Sequence, residues 1–213
     1  MGFEIYDYRA DIRNILITPQ IRSRFLRMEV GQVNRFHSHD LGHEIFLILQ
    51  GQAEFEMKGE ARVLGPGQLC IALCDEGHIV RNVGAEPVIM YLSVTPHIQP
   101  THTLWTEAGS KEPPHFNPST AYDVPLDRTT PTAELVDCHL KEAETLAEVV
   151  AATTQVQQAQ AAAFKQAVAA GDKTAAFKAR DTMWEALYNM YKQVYELAEA
   201  WNALTSRTAD SEF

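Results

Sequence analysis

A chain of 213 residues is long enough for one well-cored domain with a substantial appendage, or for two small domains. Its composition, 46% apolar and 22% charged, is that of an ordinary globular protein. A net charge of −10 argues against nucleic acid or an anionic membrane surface as partner.

The first residues, MGFEIYDYRADIRN, carry acids early and have no apolar stretch, so no secretory signal is read there. No window reaches the roughly 18 apolar residues that a membrane span requires. Three cysteines, Cys70, Cys74 and Cys138, form no even framework and are read as reduced thiols, which places the protein in the cytoplasm. Cys70 and Cys74 are expected on one face of one strand.

Between about residues 22 and 95 the hydrophobic period is two, and turn residues recur at short intervals. RFLRMEV, EIFLIL, QAEFEM, ARVLG, QLCIAL, HIVRNV and PVIMYLSV read as strands, with NILITPQ supplying one more upstream. In QAEFEM, Ala53, Phe55 and Met57 are expected inward and Glu54 and Glu56 outward. Short strands joined by tight turns point to an antiparallel sandwich or barrel. This β domain is expected over residues 1–97.

Residues 98–131 are rich in Pro, Thr and His with little periodicity and read as an extended linker. From residue 132 to 207 the period changes. Val136, Leu140, Ala143, Ala147, Val150, Thr154, Gln157, Ala161, Phe164 and Val168 follow a 4–3 alternation, and Met183, Leu187, Met190, Val194, Leu197, Trp201 and Leu204 continue it. Two helices of about 35 residues are predicted, hinged at Gly171, where glycine tolerates the left-handed cap. A second stripe, Trp184, Tyr188, Tyr191, Tyr195 and Ala198, makes the apolar face too wide for one partner helix. A homo-oligomer, a dimer through the hairpin or the barrel, is therefore expected.

The chemistry concentrates in RFHSHDLGHE, residues 35–44. His37 and His39 share a strand face, the DLG turn reverses the chain, and Glu44 opens the next strand. His78 begins a strand some forty residues later. Three imidazoles and a carboxylate converging form a mixed nitrogen–oxygen site suited to one divalent transition metal, Fe(II), Mn, Ni or Zn. His43, next to Glu44, should point to the opposite face. His97 and His102 lie where the last strand ends, with packing roles or a place near the site both open. No dinucleotide-binding loop, Walker loop or nucleophile elbow competes, so no organic cofactor is expected.

This arrangement resembles the cupin superfamily. Gly31, five residues, His37-Ser38-His39, four residues, Glu44, six residues and Gly51 fill every fixed position of the first cupin motif. Gly67 opens the second motif, and His78, three residues and Asn82 close it. Leu73 stands where a proline is usual, and Asp75 where a glycine is usual. The resemblance implies a double-stranded β-helix, or jelly-roll, barrel followed here by an α-helical hairpin, with metal on His37, His39, Glu44 and His78. Phe46, Phe55 and Met90 are candidate substrate contacts inside the barrel, among lining candidates that also include Phe36, Ile48, Tyr91 and Leu92.

The expected function is a metal-dependent enzyme acting on a small organic molecule, with oxygenase chemistry leading and Glu44 as the catalytic carboxylate. Isomerase, lyase or decarboxylase chemistry is the alternative, as is non-catalytic ligand binding by an oligomer.

Overall fold

Alternation along the first half of the chain becomes two antiparallel five-stranded sheets. The computed structural model describes residues 2–125 and 127–209. Within them the strands are β1 (Asn14–Thr18), β2 (Ile21–Met28), β3 (His37–Ser38), β4 (His43–Gln50), β5 (Ala53–Met57), β6 (Glu60–Leu64), β7 (Leu69–Ala72), β8 (His78–Asn82), β9 (Val88–Thr95) and β10 (Thr103–Leu104). One sheet has the order β1-β2-β9-β4-β7 and the other β10-β3-β8-β5-β6. This is the jelly-roll architecture expected: strands β2 to β5 and β6 to β10 alternate between the two sheets, while β1–β2 and β5–β6 are hairpins within one sheet.

Strand parity decides what enters the space between the sheets. On β4 the buried set is Glu44, Phe46 and Ile48, while His43, Ile45 and Leu47 turn outward. On β5 Ala53 and Phe55 are buried and Met57 packs against the core, as their alternation predicts. The outward Glu54 and Glu56 pair with Arg81 of the neighbouring β8 at 3.0 and 2.7 Å. Met28, Phe46, Ile48, Phe55, Val80, Val88, Met90 and Leu92 form the apolar core.

Parity also corrects two expectations. β7 ends at Ala72, so Cys74 lies in the following turn, exposed, and does not share a strand face with Cys70. Of the lining candidates, Tyr91 faces away from the core, edge-on to Phe25 at 6.0 Å. Phe36 is exposed and lines a separate groove with Glu56, Lys58 and Gly77.

Backbone clustering divides the chain into one unit of Met1–Asp127 with Thr205–Phe213, and a second of Arg128–Leu204. Residues beyond β9 include β10 and a 3₁₀ turn at Ser119–Tyr122. The second unit holds helix α1 (Thr132–Ala170) and most of α2 (Lys173–Ala209). Gly171 between them has φ 69°; its N–H reaches the Val168 carbonyl at 3.1 Å and that of Asp172 the Ala167 carbonyl at 2.9 Å, the left-handed cap expected there.

Over several turns the seam of α1 is displaced by one residue from the expected stripe, while Ala143, Gln157, Ala161 and Phe164 of that stripe stay half-buried. Val136, Leu140, Val150 and Val168 are exposed. Leu135, Leu146, Val149, Thr153, Val156 and Ala167 are the more buried set. Apolar residues stand side by side at 135/136, 146/147 and 149/150, so period alone fits either face. A polar contact marks the shift: Thr153 Oγ1, one residue before the expected Thr154, donates to the Ala186 carbonyl at 3.2 Å, while Gln157 Nε2, on the expected stripe, donates to that of Met183 at 2.8 Å. Among the described residues no helix is long and apolar enough to cross a membrane.

Candidate metal centre

His37, His39, Glu44 and His78 come together between the sheets, all buried, with one potential ligand atom each and these atoms within 4.8 Å of one another. Three features of the chain produce this. His37 is the register partner of His78 across β3 and β8. His39 follows His37 by two and keeps its face. The turn through Gly42 then brings Glu44 in on β4. That turn passes so close to β9 that a Cβ on Gly42 would stand 2.1 Å from the Thr95 carbonyl oxygen.

Each imidazole is anchored by its far nitrogen. Nδ1 of His37 donates to the Arg35 carbonyl at 2.8 Å, that of His39 to the Thr101 carbonyl at 2.6 Å, and that of His78 to the Glu76 carbonyl at 3.0 Å. A carbonyl can only accept, so all three rings carry a proton on Nδ1 and turn Nε2 to the interior. Those nitrogens stand 3.9, 2.8 and 3.1 Å from Glu44 Oε2, for His37, His39 and His78 respectively. Three imidazole Nε2 atoms and a carboxylate thus face one another, with the far nitrogen of each ring fixed. This fits a small cation shared by all four, and nitrogen–oxygen donors without thiolate suit a divalent transition metal.

The electrostatics agree. Burial opposes charge on Glu44, yet His39 and His78 hold its carboxyl well below the usual range. Burial likewise opposes charge on His78, but the bond to Glu44 outweighs it and raises its pKa. Burial, then the neighbouring His78, lowers His37 to about 4. The carboxylate therefore draws positive charge to this point.

The substituted turn of the second motif still delivers its histidine. Asp75 takes φ 61°, the left-handed conformation that glycine usually supplies and Asp tolerates better than most residues. Its N–H donates to the His39 carbonyl at 3.0 Å, linking that turn to the first motif. Asn82, which closes the motif, is a clamp: its Nδ2 donates to the carbonyls of Met28 and Glu86 at 3.1 and 3.0 Å.

A cavity of about 280 Å³ adjoins the cluster, lined in part by His37, Glu44, Phe46, Leu92 and His102. Phe46 therefore lines it, whereas Phe55 and Met90 lie in the core cluster, Phe55 against the Phe46 ring at 5.0 Å. His43 is exposed, and its Nδ1 accepts from the Cys74 N–H at 2.9 Å. His97 is buried and pairs with Thr101 Oγ1 at 3.0 Å. His102 is part of the site's wall, its ring 5.0 Å from His37 and 4.8 Å from His39; burial, then Arg22, keeps it far below the usual imidazole pKa, hence neutral.

Residues 24–95 match the family model described as Cupin domain. This stretch is a cupin domain. Its fixed motif positions carry the cluster, while the cupin domain borrows Thr101 and His102 from the chain beyond its last strand.

No curated protein matches the chain. Among solved structures it is similar to a double-stranded β-helix domain protein from Klebsiella pneumoniae, 24% identical over 45% of this chain and 91% of that one, with TM-score 0.42. KdgF from Halomonas sp. is 25% identical over 40% and 78% of the two chains, with TM-score 0.37. The DMSP lyase DddQ from Ruegeria pomeroyi is 26% identical over 44% and 47%, with TM-score 0.39.

The side chains of the cavity wall that sequence reasoning missed include two charges on β2, Arg22 and Arg24. Arg22, 3% exposed, has Nη2 4.0 Å from Glu44 Oε1 and lies over the Tyr122 ring at 5.5 Å. The signal was present: Arg22, Arg24, Leu26 and Met28 share one strand parity, and Met28 is core.

Proposed function

We propose that the cupin domain is a metal-dependent enzyme acting on a small organic molecule held in the cavity beside the cluster. His37, His39, Glu44 and His78 would hold one divalent transition metal, Fe(II), Mn, Ni or Zn. The observation that carries this reading is the anchoring of all three Nδ1 atoms on backbone carbonyls, which leaves three Nε2 atoms and a carboxylate facing one point. Such an ion supplies Lewis-acid polarisation of a substrate oxygen and, if it is iron, redox chemistry with dioxygen.

Phe46 and Leu92 would pack on the substrate's apolar part and exclude water. Glu44, as ligand and catalytic carboxylate, has its Oε1 4.0 Å from Arg22, while His39 and His78 hold it ionised. Oxygenase chemistry is the leading reaction class. A specific observation favours proton-transfer chemistry, of the isomerase, lyase or decarboxylase kind, as second reading: His102 puts an imidazole that is not one of the four ligands in the cavity wall, beside a bound substrate. Oxygen uptake by iron-loaded protein with small carboxylic acids or enols separates the two. Turnover with uptake supports the oxygenase, and turnover without it the alternative. No turnover in any metal form would leave a non-catalytic ligand-binding protein.

The hairpin would assemble the protein as a homo-oligomer in the cytoplasm. Trp184, Tyr188 and Tyr191, on successive turns of α2, are each about half exposed, an unusual outlay of aromatic surface.

A further inference from the structure

The wall of the cavity carries more positive charge than the cluster needs. Three arginines, Arg22, Arg24 and Arg35, line it together with Asn34. Two of them are matched. Arg22 faces Glu44 at 4.0 Å, and Arg35, at the outer edge, is paired with Glu112.

Arg24 is not matched. It makes no ion pair among the described residues, and its Nε is buried without a hydrogen-bond partner. The Nε of Arg22, a side chain almost wholly buried, is likewise unpartnered. Asp123, whose charge also acts on Arg24, accepts instead from Asn14 N and Nδ2 at 2.9 and 3.1 Å. A partly buried guanidinium whose Nε lacks a partner costs stability, and a folded chain that is strongly acidic has carboxylates in excess to spare for it. Its place in the wall of a cavity, on the strand face that carries Arg22 and then Leu26 and Met28, points to a ligand.

We infer that the cavity selects small carboxylic acids, whose carboxylate docks on Arg24 and Asn34 while the remainder of the molecule lies toward Phe46 and the cluster. This rests on the proposed metal-dependent reading and names the substrate class for it. One uncompensated positive charge matches a singly charged carboxylate, and the planar guanidinium fork matches its two oxygens. Asn34, whose side chain makes no hydrogen bond within the described residues, offers a further donor. The volume of about 280 Å³ admits an acid of a few carbons.

The test is calorimetric titration of propionate, succinate and glutarate, each beside its amide, into wild type, Arg24→Gln and Arg24→Lys. It is run on metal-loaded and on chelator-treated protein, with metal per chain and the thermal midpoint recorded for every sample. The expected result is that wild type prefers at least one acid over its amide and that Arg24→Gln weakens that acid about tenfold or more. Arg24→Lys should recover part of the affinity, and all three proteins should hold equal metal. Equal acid affinity in wild type and Arg24→Gln, an amide bound as tightly as its acid, or no acid bound at millimolar concentration would each overturn the inference. If wild type holds no metal, the metal reading fails, while the preference for acid over amide and its loss in Arg24→Gln still decide this one.

Discussion

Glu44 is held from several sides: His39 and His78 on one oxygen, Arg22 near the other, and the β4 backbone paired to both β7 and β9 beneath it. Such a residue can be altered in charge without altering shape. Glu44→Gln keeps the volume and loses the charge that draws a cation, so metal affinity should fall while the fold persists; a metal content equal to wild type at limiting metal would contradict this. Arg24 makes the opposite case. Its unpaired charge is a cost to the fold, so Arg24→Gln should unfold no more easily than wild type, and up to about 1 kcal/mol less easily. A large loss of stability in denaturant titration would mean that Arg24 is structural. His97 sets a pH limit. Burial first, then Arg22 and His39, lower its pKa to about 3, whereas the unfolded chain takes up that proton near 6.5. The folded state refuses a proton that the unfolded state accepts, so stability present above pH 6.5 is lost as pH falls toward 3. His97→Gln should lose about 1 kcal/mol less than wild type between pH 6 and pH 5. Equal losses in the two proteins would show that His97 does not carry this sensitivity.

At the scale of elements, the site depends on two turns more than on its strands. Gly42 has no room for a Cβ, which would meet the Thr95 backbone at 2.1 Å. Gly42→Ala should therefore cost about 3 kcal/mol and disturb Glu44 two residues on, whereas Gly65→Ala, whose Cβ would meet nothing nearer than Gln68 Oε1 at 3.9 Å, should stay within about 0.5 kcal/mol. A neutral Gly42→Ala would show that the turn relaxes. The same elements show which features a sequence discloses. His37, His39 and Glu44 were legible because strand parity and a short turn fix their relation within eight positions. His78 was legible through its spacing to Asn82. Arg22 and Arg24 were not, because the inward face of a strand is recognised by its apolar residues, and two charges there look like an exposed end. Thr101 was hidden, and the place of His102 left open, for another reason: they follow β9 in a stretch without period, and only the β10–β3 pairing brings that stretch beside the cluster. Over several turns the α1 seam was misplaced by one residue because adjacent apolar pairs fit both faces equally, and a side chain such as Thr153, which chooses the face, carries no hydrophobic signal.

At the scale of the molecule, a cupin domain with a buried nitrogen–oxygen cluster is joined to a helical hairpin that leaves aromatic residues exposed. If Trp184, Tyr188 and Tyr191 are contacts between copies, light scattering on Trp184→Lys/Tyr188→Lys should report a lower mass than wild type with unchanged helicity; equal mass would assign that stripe elsewhere. The central claim concerns the cluster, and metal per chain tests it most directly, by mass spectrometry on untagged protein beside His37→Ala and His78→Ala. The account predicts about one equivalent of a single transition metal in wild type and loss of it in both variants. No metal in wild type after reconstitution, or equal metal in all three proteins, would contradict it.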